Sequence, residues 1–172
     1  MIDFAPHCHT TTYGIDPGLS GAVARIAPGR PEFPLLTVWR DFKRREDISA
    51  ALVAARLPTA TSVWIEQVHS MPGEGVVSVF SFGRSTGTAM GAIEAITGRK
   101  AREVAPQRWQ AFFKKLFGVP KDVKFKTVTR EIACKVFPEH TRFFSRKLDH
   151  GSADAALIAA YGLVVGIESA QS

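Results

Sequence analysis

The feature that most constrains the fold is an apolar strand that ends in an aspartate and turns on glycines. It spans residues 13–22 and reads YGIDPGLSGA, with Asp16 after the apolar residues. Because proline and glycine favour tight turns, the apolar runs at 11–15 and 21–26 are predicted to be neighbouring strands. A third run at 35–39 extends them to an antiparallel meander. The turn therefore places Asp16 at one edge of a sheet.

A second buried strand follows one helix later. Apolar residues recur at helical spacing over 47–57, Pro58 interrupts the pattern, and 62–68 is a further apolar run that contains Glu66. A helix between two strands predicts a right-handed parallel crossover. If the first and fourth strands are neighbours, Asp16 and Glu66 come to the same edge of the sheet.

The rest of the chain is predicted to be mostly helical. A short strand is expected at 102–104, and the predicted helices cover 76–97, 106–117, 125–137 and a last segment from 151 or 152 to about 168. In the first of these helices, glycines spaced by four form a stripe at Gly83, Gly87 and Gly91. The stripe permits close backbone approach, either to the sheet or to a second subunit, and both remain open.

These elements predict one α/β domain with a mixed sheet. A chain of 172 residues with 45% hydrophobic residues fills one core and is short for two. The domain is assigned to residues 13–168, and residues 1–12 are expected to be a flexible leader. The longest apolar run near the C-terminus, 155–166, is too short to span a bilayer. With two cysteines there is no disulfide framework, which favours the cytoplasm.

Three carboxylates lie in otherwise apolar surroundings. Asp16 and Glu66 end strands, and Asp154 lies early in the last helix among alanines and a leucine. A single acidic residue at a strand end is usually there because strand ends are exposed to water. Three acidic residues in such apolar surroundings instead favour a functional cluster of carboxylates. Divalent cations prefer oxygen ligands, and two such ions can activate water and stabilise a leaving oxygen in phosphodiester cleavage. The pattern predicts a metal-dependent nuclease.

The positive charge is concentrated in one part of the chain. Residues 99–147 hold 14 Lys and Arg against 4 Asp and Glu, whereas the whole chain has 22 against 16. Such a region is a candidate surface for nucleic acid, although a single basic stretch is often only a set of solvated helix faces. Lysines on both sides of one interhelical loop are the predicted phosphate contacts: Lys114, Lys115, Lys121, Lys124 and Lys126. The phenylalanines between them are interpreted as core.

The combined motifs resemble the RuvC-like Holliday-junction resolvases of the RNase H-like superfamily. The matching pieces extend from Tyr13 to about Ala160. They are GIDPGLSG at 14–21, IEQV at 65–68, RSTG at 84–87, VAP at 104–106 with Trp109, and SADAALIA at 152–159.

The resemblance implies an RNase H-like fold with a five-stranded mixed sheet flanked by helices. It further implies a homodimeric, Mg²⁺-dependent endonuclease, with Mn²⁺ as a substitute, that resolves four-way DNA junctions by paired nicking. Asp16, Glu66 and Asp154 would be metal ligands. The family places a fourth Asp or His one helical turn before the last aspartate, but that position is Gly151 here. Asp149, which is also a suitable helix cap, and His150 are equally good candidates.

The loop after Glu66 is the region where the family carries a base-stacking aromatic. His69 takes that place, with Met71 nearby, although a plain glycine-rich connector explains the loop as well. Bacterial and phage origins are both compatible, so the cytoplasm is that of a bacterium or of an infected host. The alternatives are a debranching nuclease of the same fold, a general RNase H, a non-catalytic junction-binding protein and an actin-like ATPase lobe. The ATPase would need a second phosphate loop, for which no good candidate occurs.

Overall fold

A computed structural model describes residues 11–18, 20–30, 33–40, 47–55, 57, 62–67 and 75–168. Most of the predicted leader, together with His69 and Met71, lies outside these residues. The strands are β1 (Thr12–Asp16), β2 (Ala22–Arg30), β3 (Phe33–Trp39), β4 (Ser62–Glu66) and β5 (Arg102–Val104). The α-helices are α1 (Asp47–Ala54), α2 (Val76–Thr97), α3 (Pro106–Leu116), α4 (Phe125–Val136) and α5 (His150–Glu168).

The strands form one five-stranded mixed sheet in the order β3-β2-β1-β4-β5. β1 is antiparallel to β2 and β2 to β3, which confirms the predicted meander. β4 lies parallel to β1 and to β5, as the crossover through α1 predicts. Since Ile15 pairs with Ile65, the next residues, Asp16 and Glu66, leave neighbouring strands at the same edge.

Helices cover both faces of the sheet. One face packs Ile15 and Ile65 against α1 and α2, and the other packs Ala24 and Trp64 against α3, α4 and α5. α5 approaches β1 so closely that a Cβ built on Gly14 would overlap backbone atoms of Ala155 and Ala159. Glycine is therefore required at position 14, and the close packing brings the start of α5 to the end of β1.

The structure differs from the sequence-based prediction at two places near the site. The helix predicted over 125–137 ends at Val136, close to its predicted end, but it is followed by a 3-10 helix over Pro138–Phe143 that the sequence did not predict. α5 begins at His150, one residue before the earliest predicted start. The phenylalanines of α3 and α4 do belong to the core: Phe113 and Phe125 are buried, and Phe112 and Phe117 pack against the same cluster. Across the described ranges, no helix is both long and apolar enough to cross a membrane.

Candidate active site

Asp16 is held by the turn that follows β1. The backbone N–H of Gly18 donates a 2.9 Å hydrogen bond to Asp16 Oδ1. The N–H of Gly21 closes the turn on the carbonyl of Gly18 at 3.0 Å, and a Cβ built on Gly21 would overlap the Asp16 carbonyl. From α2, buried Ser85 donates a 3.3 Å hydrogen bond to the Pro17 carbonyl. The glycines thus shape a turn that fixes the direction of one carboxylate.

Glu66 and Asp154 complete a group of three partly buried carboxylates. Burial, followed by the negative charges of Asp16 and Asp154, raises the pKa of Glu66 to about 8. Burial and the charge of Asp16 raise the pKa of Asp154 to about 7. Burial likewise raises the pKa of Asp16, against the Gly18 hydrogen bond and the positive charge of Lys126. The predicted convergence of the three residues is present, and their negative charges repel one another.

Two helices contribute polar groups behind these carboxylates. Thr129 of α4 is fully buried, and its hydroxyl donates a 2.7 Å hydrogen bond to Asp154 Oδ1. Trp109 of α3 is also fully buried, and its indole N–H lies close enough to Glu66 to favour the charged form of that carboxyl. No described residue makes a well-formed hydrogen bond with this N–H, so the contact is looser than the one from Thr129.

The residue types at this site fit a divalent-cation centre. Carboxylate oxygens are the ligands that Mg²⁺ and Mn²⁺ prefer, and a cation would offset both the burial of negative charge and the repulsion that raise the pKa values of Glu66 and Asp154. Within the described ranges, however, no three His, Cys, Asp or Glu side chains are close enough to hold one ion as they stand. The donors are therefore suitable, but the coordination shell is not closed in this structure.

Asp149, the residue before α5, is engaged by two arginines. Its buried carboxylate forms 2.8 Å ion pairs with Arg40 and with Arg146, and it accepts a 2.9 Å hydrogen bond from the Arg146 backbone. Burial alone would raise the pKa of Asp149, but these hydrogen bonds and charges outweigh burial and lower it. Its carbonyl accepts the Ala153 N–H at the start of α5. Asp149 is thus a structural tie between β3, the preceding loop and α5.

His150 is the first residue of α5 and has a different environment. Burial, and then the positive charges of Arg130 and Lys126, lower the pKa of the imidazole, which favours its neutral form at pH 7. Its Nδ1 is buried and has no hydrogen-bond partner among the described residues. The adjacent Gly151 packs against the Ser20 backbone, so the position where the family carries a ligand has no room for a side chain. His150 therefore has an unused ring nitrogen, whereas the oxygens of Asp149 are occupied.

The lysines around the α3–α4 loop fall into two groups. Lys114 donates hydrogen bonds to the carbonyls of Lys121, at 3.0 Å, and of Val123, so its ammonium closes the loop. The other four are exposed at the surface: Lys115, Lys121, Lys124 and Lys126. Lys126 also acts on the carboxylates, because its positive charge lowers the pKa values of Asp16 and Asp154. The basic region therefore reaches the edge of the carboxylate group.

The glycine stripe of α2 does not contact the sheet. A Cβ built on Gly83, Gly87 or Gly91 would meet no atom of the described chain within 4 Å. Near the start of the same helix, Val76 and Phe80 are 83% and 70% exposed. The two alternatives for the glycine stripe were contact with the sheet and contact with a second subunit. The open space beside these glycines favours an approach from outside the described chain.

Sequence reasoning missed two residues of this site. Thr129 contacts Asp154, which lies 25 positions later in the chain. Arg40 contacts Asp149, which lies 109 positions later. A polar residue among apolar ones in α4 was the available signal for Thr129. No local pattern pointed to Arg40.

No protein-family model matches this chain, but it is similar to known proteins. Over 125 residues the chain is 30% identical to "Holliday junction resolvase MOC1, chloroplastic" of Chlamydomonas reinhardtii. The match covers 69% of this chain, which spans only 14% of the length of that relative. Among solved structures, T. thermophilus RuvC in complex with Holliday junction substrate gives a TM-score of 0.60 at 19% identity. This match covers 92% of this chain and 97% of RuvC, and it confirms the predicted RNase H-like fold.

Proposed function

We propose that this chain is a RuvC-like endonuclease that resolves four-way DNA junctions by metal-dependent paired nicking. The observation that carries the proposal is the convergence of Asp16, Glu66 and Asp154 from two strands and a helix. Burial, and then mutual repulsion, raise the pKa values of Glu66 and Asp154 to about 8 and 7. A site that only binds DNA gains nothing from negative charge next to phosphates. The similarity to MOC1 and the RuvC fold support junctions as the substrate.

Asp16, Glu66 and Asp154 would hold Mg²⁺ or Mn²⁺. When bound, the ions would make a water molecule more acidic and stabilise the oxygen that leaves phosphorus. Because no three ligands are yet close enough for one ion, we expect metal or DNA binding to draw the carboxylates together. The turn held by Gly18 keeps one oxygen of Asp16 directed as this happens.

His150 is our choice for the fourth active-site residue. The lowered pKa of its imidazole favours the neutral form, in which one ring nitrogen can accept a hydrogen bond or a proton, and we propose that it does so from the attacking water. Asp149 is assigned to holding the start of α5 through Arg40 and Arg146. This arrangement separates the chemical role of His150 from the positioning role of Asp149.

The exposed lysines of the α3–α4 region would bind the DNA backbone. Lys115, Lys121, Lys124 and Lys126 are exposed, and ammonium groups contact phosphates without reading base sequence. Lys126, which already acts on Asp16 and Asp154, would sit nearest the scissile phosphate. For His69 and Met71 we keep the proposal of a contact with bases at the junction centre, which rests on their place after Glu66.

We further propose that α2 forms the interface of a homodimer. Its glycine stripe and the exposed Val76 and Phe80 offer a surface on which a second helix can pack closely. Two copies supply the two active sites that paired nicking of a junction requires. Since Ser85 of α2 also bonds the turn after Asp16, the interface helix and the active site are in direct contact. We place this activity in the cytoplasm of a bacterium, or of its host for a phage-encoded chain.

The experiment that tests this function compares four substrates under one set of conditions. A four-way junction, a Y-fork, a linear duplex and an RNA/DNA hybrid are incubated with the protein and Mg²⁺ or Mn²⁺. Resolution of the junction by symmetric nicks, with little cutting of the duplex and hybrid, is the expected result. Equal cutting of the Y-fork would favour the debranching nuclease, and cleavage of the hybrid alone would overturn the proposal.

A further inference from the structure

Thr129 differs from the other helical threonines in what its hydroxyl contacts. A threonine inside a helix commonly donates back to a carbonyl one turn earlier. Thr86, Thr88 and Thr97 of α2 do so, to Phe82, Arg84 and Ile93. Thr129 instead donates to Asp154 Oδ1 in α5 at 2.7 Å. Its hydroxyl therefore serves a residue of another helix.

The environment of Thr129 fixes this contact in one geometry. The side chain is fully buried, and its neighbours in α4 include the buried Phe125, Ile132 and Ala133. A buried hydroxyl needs a hydrogen-bond partner, and the one that Thr129 uses is Asp154 rather than the carbonyl one turn earlier. Lys126, one turn earlier in α4, also acts on Asp154 through its charge. The same face of α4 thus carries both groups that favour the charged form of this carboxylate.

We propose that Thr129 is a positioning residue of the metal centre, which orients Asp154 by holding Oδ1 and leaving Oδ2 for the ion. The inference rests on the proposed function, because it takes Asp154 as a ligand. Hydrogen bonds to ligating carboxylates fix ligand orientation, and their loss typically weakens metal affinity 10- to 100-fold. Since α4 follows the lysine-bearing loop, Thr129 also connects the DNA-binding surface to the metal site.

Thr129→Val tests the inference because valine has a similar shape but no hydroxyl. Mn²⁺ binding to the DNA-free protein is measured by isothermal titration calorimetry, for which metal is the only ligand. We expect the dissociation constant for Mn²⁺ to rise at least about 10-fold, and Thr129→Ser, which restores the hydroxyl, to recover most of the affinity. Thr97→Val is the matched control, since it also removes a buried helical hydroxyl, 2.7 Å from the Ile93 carbonyl, in another helix.

The outcomes separate this inference from the proposed function. Wild-type affinity in folded Thr129→Val overturns the positioning role, provided that Asp154→Asn binds Mn²⁺ weakly. Unchanged binding in Asp154→Asn overturns the metal assignment and the inference with it. An equal loss in Thr129→Val and Thr97→Val also overturns the inference, because a general packing defect then explains both. If Thr129→Val does not fold, Thr129→Ala takes its place with the same expected loss.

Discussion

Gly151 lies against the backbone of Ser20, so closely that a Cβ at position 151 would overlap the Ser20 carbonyl. The start of α5 therefore packs directly on the turn after Asp16. This contact explains why the residue three before Asp154 carries no side chain. The proposed fourth active-site group would therefore come from a neighbouring position, for which we propose His150.

Gly151→Ala is expected to destabilise the protein despite the better helix propensity of alanine. Alanine gains about 1 kcal/mol in a helix, but overlap with backbone forces the turn or the helix to move, which costs about 1–3 kcal/mol or more. Because the displaced turn holds Asp16, cleavage should also fall. Urea unfolding and junction cleavage measure the two effects. Gly166→Ala in the same helix is the control, since its Cβ would lie in ordinary contact, 3.7 Å from Arg102 and 3.9 Å from Trp64, and a similar response in both variants would contradict the account.

Glu66→Gln is expected to stabilise the metal-free protein at alkaline pH. The pKa of Glu66 rises from 4.5 in the unfolded chain to about 8 in the fold, so the folded state binds more protons between these values. Stability therefore falls as pH rises through this window, and glutamine removes that loss. At pH 8 the gain should be about 2–4 kcal/mol, because one pKa unit corresponds to about 1.4 kcal/mol.

Urea unfolding with a chelator, at several pH values, measures this gain. Glu131→Gln provides the control, because Glu131 is exposed and pairs with Lys135 at the surface. Its difference from wild type should stay small at every pH. A Glu66→Gln protein that is no more stable than wild type at pH 8 would contradict the proposed repulsion.

Asp149→Asn and His150→Ala are expected to fail in different ways. Asp149→Asn removes the charge that pairs with Arg40 and Arg146, which should cost about 1–3 kcal/mol of stability because both arginines are partly exposed, while Mn²⁺ affinity is retained. His150→Ala should unfold near the wild-type midpoint but cleave at least about 100-fold more slowly. Thermal unfolding, calorimetry and single-turnover cleavage separate the two. Loss of Mn²⁺ binding in a stable Asp149→Asn protein would instead make Asp149 a ligand.

Lys124→Ala is expected to weaken junction binding and to make the binding constant less dependent on salt concentration. Removing one phosphate contact should lower the slope of log K against log salt by about 1. Lys114→Ala is the matched control, because Lys114 bonds the carbonyls of Lys121 and Val123 and its loss should lower stability instead. Fluorescence anisotropy over a salt series checks both. Equal slopes in wild type and Lys124→Ala would remove Lys124 from the interface.

Local patterns in the sequence predicted the parts of the molecule that depend on neighbouring residues. Apolar runs and turn residues gave the meander, the crossover and the pairing that aligns Asp16 with Glu66. The 3-10 helix after Phe137 was missed because distant contacts hold it: the Leu36 N–H donates to His140 Nε2 and Arg40 to the Phe143 carbonyl.

The unpredicted parts of the site have the same cause. Thr129 reaches Asp154 only because α4 packs beside α5 in the folded chain. Arg40 reaches Asp149 only because the end of β3 lies next to the loop before α5. The sequence left Asp149 and His150 as equal candidates. Tertiary ion pairs, which no spacing rule encodes, engage Asp149 and are the reason that we propose His150. The start of α5 was predicted one residue late because glycine is typical of a helix boundary. In the structure Gly151 lies inside the first turn of α5, where its close packing on Ser20 requires a residue without a side chain.

The most direct test of the central claim measures cleavage and binding of a four-way junction by carboxylate variants. Asp16→Asn, Glu66→Gln and Asp154→Asn are compared with wild type in Mn²⁺, and Asp122→Asn, an exposed aspartate in the α3–α4 loop, is the control. We predict that each of the three lowers the single-turnover rate by at least about 1,000-fold while junction affinity stays within a few-fold, since each removes a metal ligand. Asp122→Asn should cleave like wild type. Full cleavage by Asp16→Asn would contradict the proposed metal centre.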